Sequence, residues 1–207
     1  MQFNIDDDLK EKIKRIRLLI LDVDGVFTNG WIIYDSNGGE MRCFDSQDGT
    51  GTLLLKAMGI HTVFITIKPS KPIERRVAEL GMELYEVMPK EKVLDEILMK
   101  YHVTPDEICY VGDDIADLGI MKKIGFPVAV ANATPEIKNI ASYVTEKVGG
   151  SGAVREVTDL ILKVQGKFDE ALNANIDPRR LKRIQKRQSI LSRKHKGWKG
   201  PLNTIPV

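Results

Sequence analysis

Two short stretches of the chain set carboxylates where their chemistry matters. In "RLLILDVDGVFTNG" (17–30) four apolar residues lead into Asp22 and Asp24, two positions apart, and the chain turns at once on Gly25. In "YVGDDIADLGIM" (110–121) another apolar run ends in Asp113 and Asp114, with Asp117 close behind. Acids at the mouth of a buried strand are costly to desolvate unless something compensates their charge. Side chains at i and i+2 of an extended segment point the same way, so Asp22 and Asp24 are expected to face one cavity. Carboxylates converging from two strand ends repel unless a cation sits among them, and hard oxygen ligands at that density point to Mg²⁺.

The chemistry that needs this arrangement is phosphoryl transfer through a covalent aspartyl-phosphate. Asp22 is the expected nucleophile and a metal ligand. Asp24 is the expected proton donor to the leaving oxygen and then the base for the hydrolytic water. The Asp24 backbone carbonyl and the Asp113 carboxylate are expected to complete the protein's share of the Mg²⁺ shell. Thr66, which closes another apolar run, offers a hydroxyl to the phosphate oxygens, and a lysine is needed for compensating charge.

These residues need a frame that brings strand ends together. Apolar runs at 17–23, 61–66, 107–113 and 126–131 are bounded by Gly, Pro or Asp, as strands buried on both faces of a parallel sheet are. Helical patterns fall between or beside them at 50–58, 70–80, 90–101 and 115–124; Val93, Leu94, Ile97, Leu98 and Tyr101 form one apolar face. The alternation predicts an α/β fold, a Rossmann-like, mostly parallel central sheet with helices on both faces. One segment breaks the rhythm. "GWIIYDSNGGEMRCFDS" (30–46) reads as two strands joined at Asn37-Gly38-Gly39, a β-hairpin inserted after the first strand and above the sheet edge where such folds bind ligands. Trp31, Ile33 and Tyr34 make this ribbon too apolar to stand free, so a packing partner is expected, a second copy of the chain among the candidates.

Composition narrows the class. Apolar residues make up 43% and charged residues 29% of the 207, ordinary for a globular domain. Cys43 and Cys109 lie far apart in no metal-ligand spacing, which argues against a disulfide scaffold or zinc site. The polar, acidic start "MQFNIDDDLKEK" is unlike a signal peptide, and no apolar run is long enough to cross a bilayer, so a cytoplasmic setting is expected. Residues 171–207 hold ten Lys or Arg and one acid, Asp177, whereas residues 1–170 hold 21 basic and 28 acidic residues. This places a boundary near 170–176 and predicts a body over 1–175 and a basic tail over 176–207, partly helical or disordered. The tail lacks the interleaved aromatics of a base-stacking surface, so an acidic protein face suits it better than nucleic acid.

The motifs together resemble a known family. "DVDGVFTNG", Thr66 and "GDDIAD" are similar to motifs I, II and IV of the haloacid dehalogenase superfamily. "DSQDGTG", "ERRVAELG", "VAVANATPEIKNIASYVT" and "GGSGAVREVTDLIL" resemble, more narrowly, the capless 3-deoxy-D-manno-octulosonate 8-phosphate phosphatase family, over about residues 16–170. The resemblance implies a Mg²⁺-dependent phosphatase with no large cap domain, acting on a small phosphorylated sugar or sugar acid. It also implies a homotetramer built through the hairpins. The motif III lysine matches at Lys90, with Lys92 the alternative. Gln47, Lys68 and Ser151 stand where the family commonly has arginines, each removing or weakening a fork-shaped anion donor. That leaves two alternatives open: a nonulosonate 9-phosphate or other phosphate ester as substrate, and a non-enzymatic interaction protein on the same fold.

Overall fold

The computed structural model describes residues 5–174; the basic tail lies outside the described residues. Helix α1 (Asp7–Lys14) precedes strand β1 (Leu18–Asp22), whose five residues are all buried. After a wide turn at Val23–Phe27 come β2 (Ile33–Tyr34) and β3 (Glu40–Met41), then α2 (Ser46–Ala57) and β4 (His61–Thr66). The chain continues through α3 (Lys71–Leu80), β5 (Glu83–Glu86), a single 3₁₀ turn at Lys90–Val93 and α4 (Leu94–Tyr101). Strand β6 (Ile108–Gly112), a turn at Ile115–Asp117, α5 (Leu118–Met121), β7 (Phe126–Ala129), α6 (Pro135–Ile140), β8 (Tyr143–Val144), α7 (Ala153–Val164) and α8 (Phe168–Asn173) complete it.

Six strands form one sheet in the order β5-β4-β1-β6-β7-β8, and every pairing in it is parallel. The α/β reading holds, with flanking helices and no large cap among the described residues. Two strands were not expected from the pattern. Strands β5 and β8 sit at the sheet's edges, where residues are only half-buried, so neither shows the continuous apolar run of a central strand. The expected helix over 115–124 is shorter, a 3₁₀ turn that Asp114 and Asp117 open with a capping box, followed by one α-helical turn ending at Met121.

The insertion after β1 is a short hairpin, pairing Ile33 with Met41 and Tyr34 with Glu40. Its turn is tied by Asp35, whose carboxylate accepts the backbone N–H groups of Asn37 at 2.8 Å and Gly39 at 2.7 Å. A bridge between Thr28 and Phe44, with the Phe44 ring tilted against Phe27 at 5.7 Å, sews its base to the turn after β1.

Because β1 lies between β4 and β6, three strands end side by side: β1 at Asp22, β4 at Thr66 and β6 at Gly112, just before Asp113. A second contact fixes the turn that follows β1. Gly150 N–H donates to the Val26 carbonyl at 2.9 Å, and a Cβ on Gly149 would lie 1.7 Å from the Gly25 carbonyl oxygen and 2.5 Å from its carbon. The fully buried Asp48 anchors the start of α7 just beyond, accepting Arg155 N–H at 2.8 Å and Gly152 N–H at 3.3 Å. The Gly149 overlap is with backbone, which no rotamer change relieves. Gly149→Ala should therefore lower unfolding free energy by more than about 2 kcal/mol in urea titration. A midpoint unchanged from the parent would contradict this close approach.

Candidate active site

The strand edge gathers a buried charged cluster. Asp22 is 7% exposed and Lys90 2%, and one carboxylate oxygen from each of Asp22, Asp113 and Asp117 lies within 4.8 Å of the others. Lys90, at the start of the 3₁₀ turn, donates to Asp22 and, at 2.7 Å, to Asp117. Its neighbour Lys92 is exposed, so Lys90 is the lysine that enters the cluster. Three carboxylates against one ammonium leave two negative charges, which suits a divalent cation.

Hydrogen bonding separates the three acids of the second stretch. Asp117 is saturated: Oδ1 accepts from Lys90 and from the Tyr110 hydroxyl at 2.6 Å, while Oδ2 accepts the N–H groups of Asp113 at 2.9 Å and Asp114 at 3.3 Å. It holds the lysine and the turn. Asp114 caps that turn, accepting Ile115 N–H at 2.7 Å. Asp113 is left to face the cleft beside Asp22. These two carboxylates are the oxygens of the cluster left to hold a cation.

Asp24 keeps the extended backbone that the spacing suggested, although strand pairing ends at Asp22. The strand stops at Asp22; Asp24 has φ −79° and ψ 113°, and Gly25 turns the chain with φ +97°. A side chain at Gly25 is excluded twice, by that conformation and because its Cβ would fall 2.0 Å from Asp113 Oδ2. Asp24 still lines the cleft, but its carboxylate is gripped by Arg42 Nε at 2.8 Å instead of joining the acid cluster. Arg42 was not singled out from the sequence. The available signal was strand alternation: Met41 and Cys43 face out while Arg42 and Phe44 face in.

Thr66 is buried at the end of β4, lining the cleft with Ile67 and Lys68. The cleft holds about 190 Å³, below the roughly 300 Å³ at which pockets for whole small molecules begin. It suits a phosphoryl group and its counter-ion. Gln47 and Ser151 are elsewhere, together lining a separate cavity of about 300 Å³ with Lys147 and Arg155.

The site's charges depend on one another. Burial, then the Asp117 charge, pushes the Asp22 carboxyl well up, and Lys90 opposes that. Desolvation works to lower the Lys90 pKa, but Asp22 and Asp117 outweigh it and the net shift is upward. Burial likewise raises Tyr110, keeping it a neutral donor to Asp117.

Comparison with known proteins decides the family. Residues 57–157 match the model for haloacid dehalogenase-like hydrolases. Over 174 residues the chain is 42% identical to the 3-deoxy-D-manno-octulosonate 8-phosphate phosphatase KdsC of Escherichia coli (strain B / BL21-DE3), covering 83% of this chain and 93% of that protein. The chain belongs to the KdsC family of haloacid dehalogenase-type phosphatases. A KdsC-family structure from Moraxella catarrhalis, a complex with magnesium, phosphate and KDO, has a TM-score of 0.78 at 37% identity over 82% of this chain and 98% of that one. A haloacid dehalogenase superfamily (subfamily III A) hydrolase structure from Legionella pneumophila gives a TM-score of 0.80 at 38% identity, covering 81% and 93%. As a KdsC-family member, this chain is a Mg²⁺-dependent phosphatase for a small sugar phosphate. Among the described residues no helix is long and apolar enough to cross a membrane.

The acid pair sets a pH dependence. Burial first, then the Asp117 charge, holds Asp113 up at about 6. A proton and a cation compete for that carboxylate, so binding is full above this value and weakens as pH falls through it. Mg²⁺ or Mn²⁺ affinity measured by calorimetry should drop about tenfold or more between about pH 7.5 and about pH 5. An affinity that does not change would contradict the cluster as the cation site.

Proposed function

We propose that the chain hydrolyses 3-deoxy-D-manno-octulosonate 8-phosphate through an aspartyl-phosphate on Asp22. The observation that carries this is the buried Asp22–Lys90–Asp117 cluster beside Asp113, in a chain so similar to KdsC over nearly the whole of that protein. The intact acids also argue against the non-enzymatic alternative.

In this reading Asp22 attacks phosphorus with the oxygen that Lys90 leaves free, and the bond from phosphorus to the sugar oxygen breaks. Asp24 delivers the proton to that departing oxygen. Water then attacks the phosphoryl group, Asp24 takes its proton, and inorganic phosphate leaves Asp22 restored. Lys90 and Thr66 present donors to the phosphoryl oxygens. Asp22, Asp113 and the Asp24 carbonyl would hold Mg²⁺, which when bound would supply the charge neutralisation that lets two anions approach.

The small cleft implies that the sugar is recognised beyond it. Lys68 stands at its wall in place of a family arginine and keeps positive charge without the planar fork. We take residues 1–175 as the phosphatase body, on the change of composition at its end, and a tetramer assembled through residues 30–46. Supporting the tetramer, Trp31 is 69% exposed, Tyr34 59% and Met41 50%, large side chains left in solvent on a ribbon with little core of its own.

Two measurements test this reading. With Mg²⁺ present the protein should turn over the octulosonate 8-phosphate faster than a nonulosonate 9-phosphate or simple hexose phosphates, and Asp22→Asn should abolish turnover of all of them without loss of fold. Activity retained in Asp22→Asn would end the covalent mechanism; preference for the 9-phosphate would move the substrate. Light scattering should give the mass of a tetramer, and paired Trp31→Ser and Tyr34→Ser changes should shift it downward. A monomer in the parent protein would refute the assembly.

A further inference from the structure

We infer that Arg42, a hairpin residue, is a positioning residue for proton transfer to the leaving group. It aims the Asp24 carboxylate and so makes the chemical step depend on the placement of the hairpin. This rests on the reading of Asp24 as the proton donor.

Arg42 has a fully buried side chain, unusual for a guanidinium unless it is held by partners. Its Nε donates to Asp24 Oδ1 at 2.8 Å, with the Asp24 side chain still 28% exposed to the cleft. Its Nη1 donates to the Met41 carbonyl at 3.2 Å and forms an ion pair with Glu40 at 2.9 Å. The third nitrogen, Nη2, is buried with no acceptor among the described residues. Burying a donor without an acceptor is unfavourable, so the fold keeps a guanidinium here at some loss of stability. An apolar side chain would fill this space more cheaply; what it could not do is hold Asp24.

Asp24 needs holding because its own backbone does not fix it. It lies in an irregular turn, next to a glycine, and among the described residues its carboxylate has one other hydrogen-bond donor, the Thr28 hydroxyl at 3.4 Å. Proton transfer requires the donor within hydrogen-bond reach of the leaving oxygen, and small misplacements are costly in rate. The restraint on Asp24 is anchored in the hairpin. Arg42 follows β3 directly, and the Thr28–Phe44 bridge fixes the same segment to the turn that carries Asp24. A shift of the ribbon therefore moves the guanidinium and Asp24 together.

Leaving-group dependence separates this role from a structural one. A primary alkyl phosphate, such as a sugar phosphate, needs a proton on its departing oxygen. The 4-nitrophenolate of 4-nitrophenyl phosphate departs without one. For Arg42→Gln, kcat/KM should fall at least about tenfold more for the alkyl ester than for the aryl ester. Arg42→Lys should recover part of that difference. Asp24→Ala, measured alongside, tests the underlying reading, because it should show the same selective loss. Selective loss in Asp24→Ala with equal losses in Arg42→Gln would overturn the role of Arg42 and leave Asp24 as donor. Equal losses on both esters in Asp24→Ala would remove the donor and this inference with it. Urea unfolding qualifies each variant. Should Arg42→Gln not unfold cooperatively, Arg42→Met, which keeps the aliphatic stem, replaces it and is judged by the same ratio.

Discussion

The geometry of the site follows from having to bury several carboxylates at one sheet edge. A single buried carboxylate without partners takes up a proton and is lost as a nucleophile or ligand. The protein meets the constraint with Asp117, whose two oxygens accept four hydrogen bonds, from Lys90, Tyr110 and two backbone N–H groups. Each bond has a second consequence. The lysine contact swings Lys90 onto Asp22, the tyrosine contact ties the cluster into the β6 core, and the backbone contacts shape the turn that presents Asp113. Removing one partner would leave its neighbours charged and buried, which is far less favourable than removing all of them. The cluster thus behaves as one unit.

A second constraint is space. Placing Asp113 against the turn after β1 leaves no room for a side chain at residue 25, and packing the loop before α7 on the other side leaves none at 149. Gly149-Gly150 is here a backbone wedge behind the turn that follows Asp22. Asp48 has a similar place in the "DSQDGTG" stretch: buried, and up at about 6 through burial, it binds the start of α7 and not the cleft. Residues that resemblance groups with catalysis therefore divide, some touching the cleft and some holding the loops that do.

The central strands were legible because burial on both faces writes a continuous apolar run, as in Leu18–Leu21 and Ile108–Val111. The edge strands were not, since half-exposed residues such as Glu83 and Glu86 carry no such signature. Asp22 and Asp113 could be read from their positions at strand ends. The division of labour among Asp113, Asp114 and Asp117 could not, because three acids within five residues look alike until hydrogen bonds distinguish them. Arg42 escaped for the opposite reason. A single arginine on a solvent-facing ribbon has the appearance of a solvated residue, and the alternation that turns it inward is anchored by the pairing of Thr28 with Phe44.

The separation of cleft and second cavity bears on how a capless phosphatase can be selective. A pocket of about 190 Å³ lined by Asp22, Asp24, Thr66, Lys68 and Lys90 grips what every phosphate ester shares. Contacts to the rest of a substrate must come from outside it, and those contacts can change without disturbing the buried cluster. Gln47 and Ser151 fit that logic: both lie on the cavity beside α7, where losing a guanidinium leaves Asp22, Lys90 and Asp117 untouched. Arg42 ties the hairpin to the cleft, its backbone in the ribbon and its Nε on Asp24. A change in those outer contacts can thus alter which ester is held while the buried cluster that grips the phosphoryl group stays as it is.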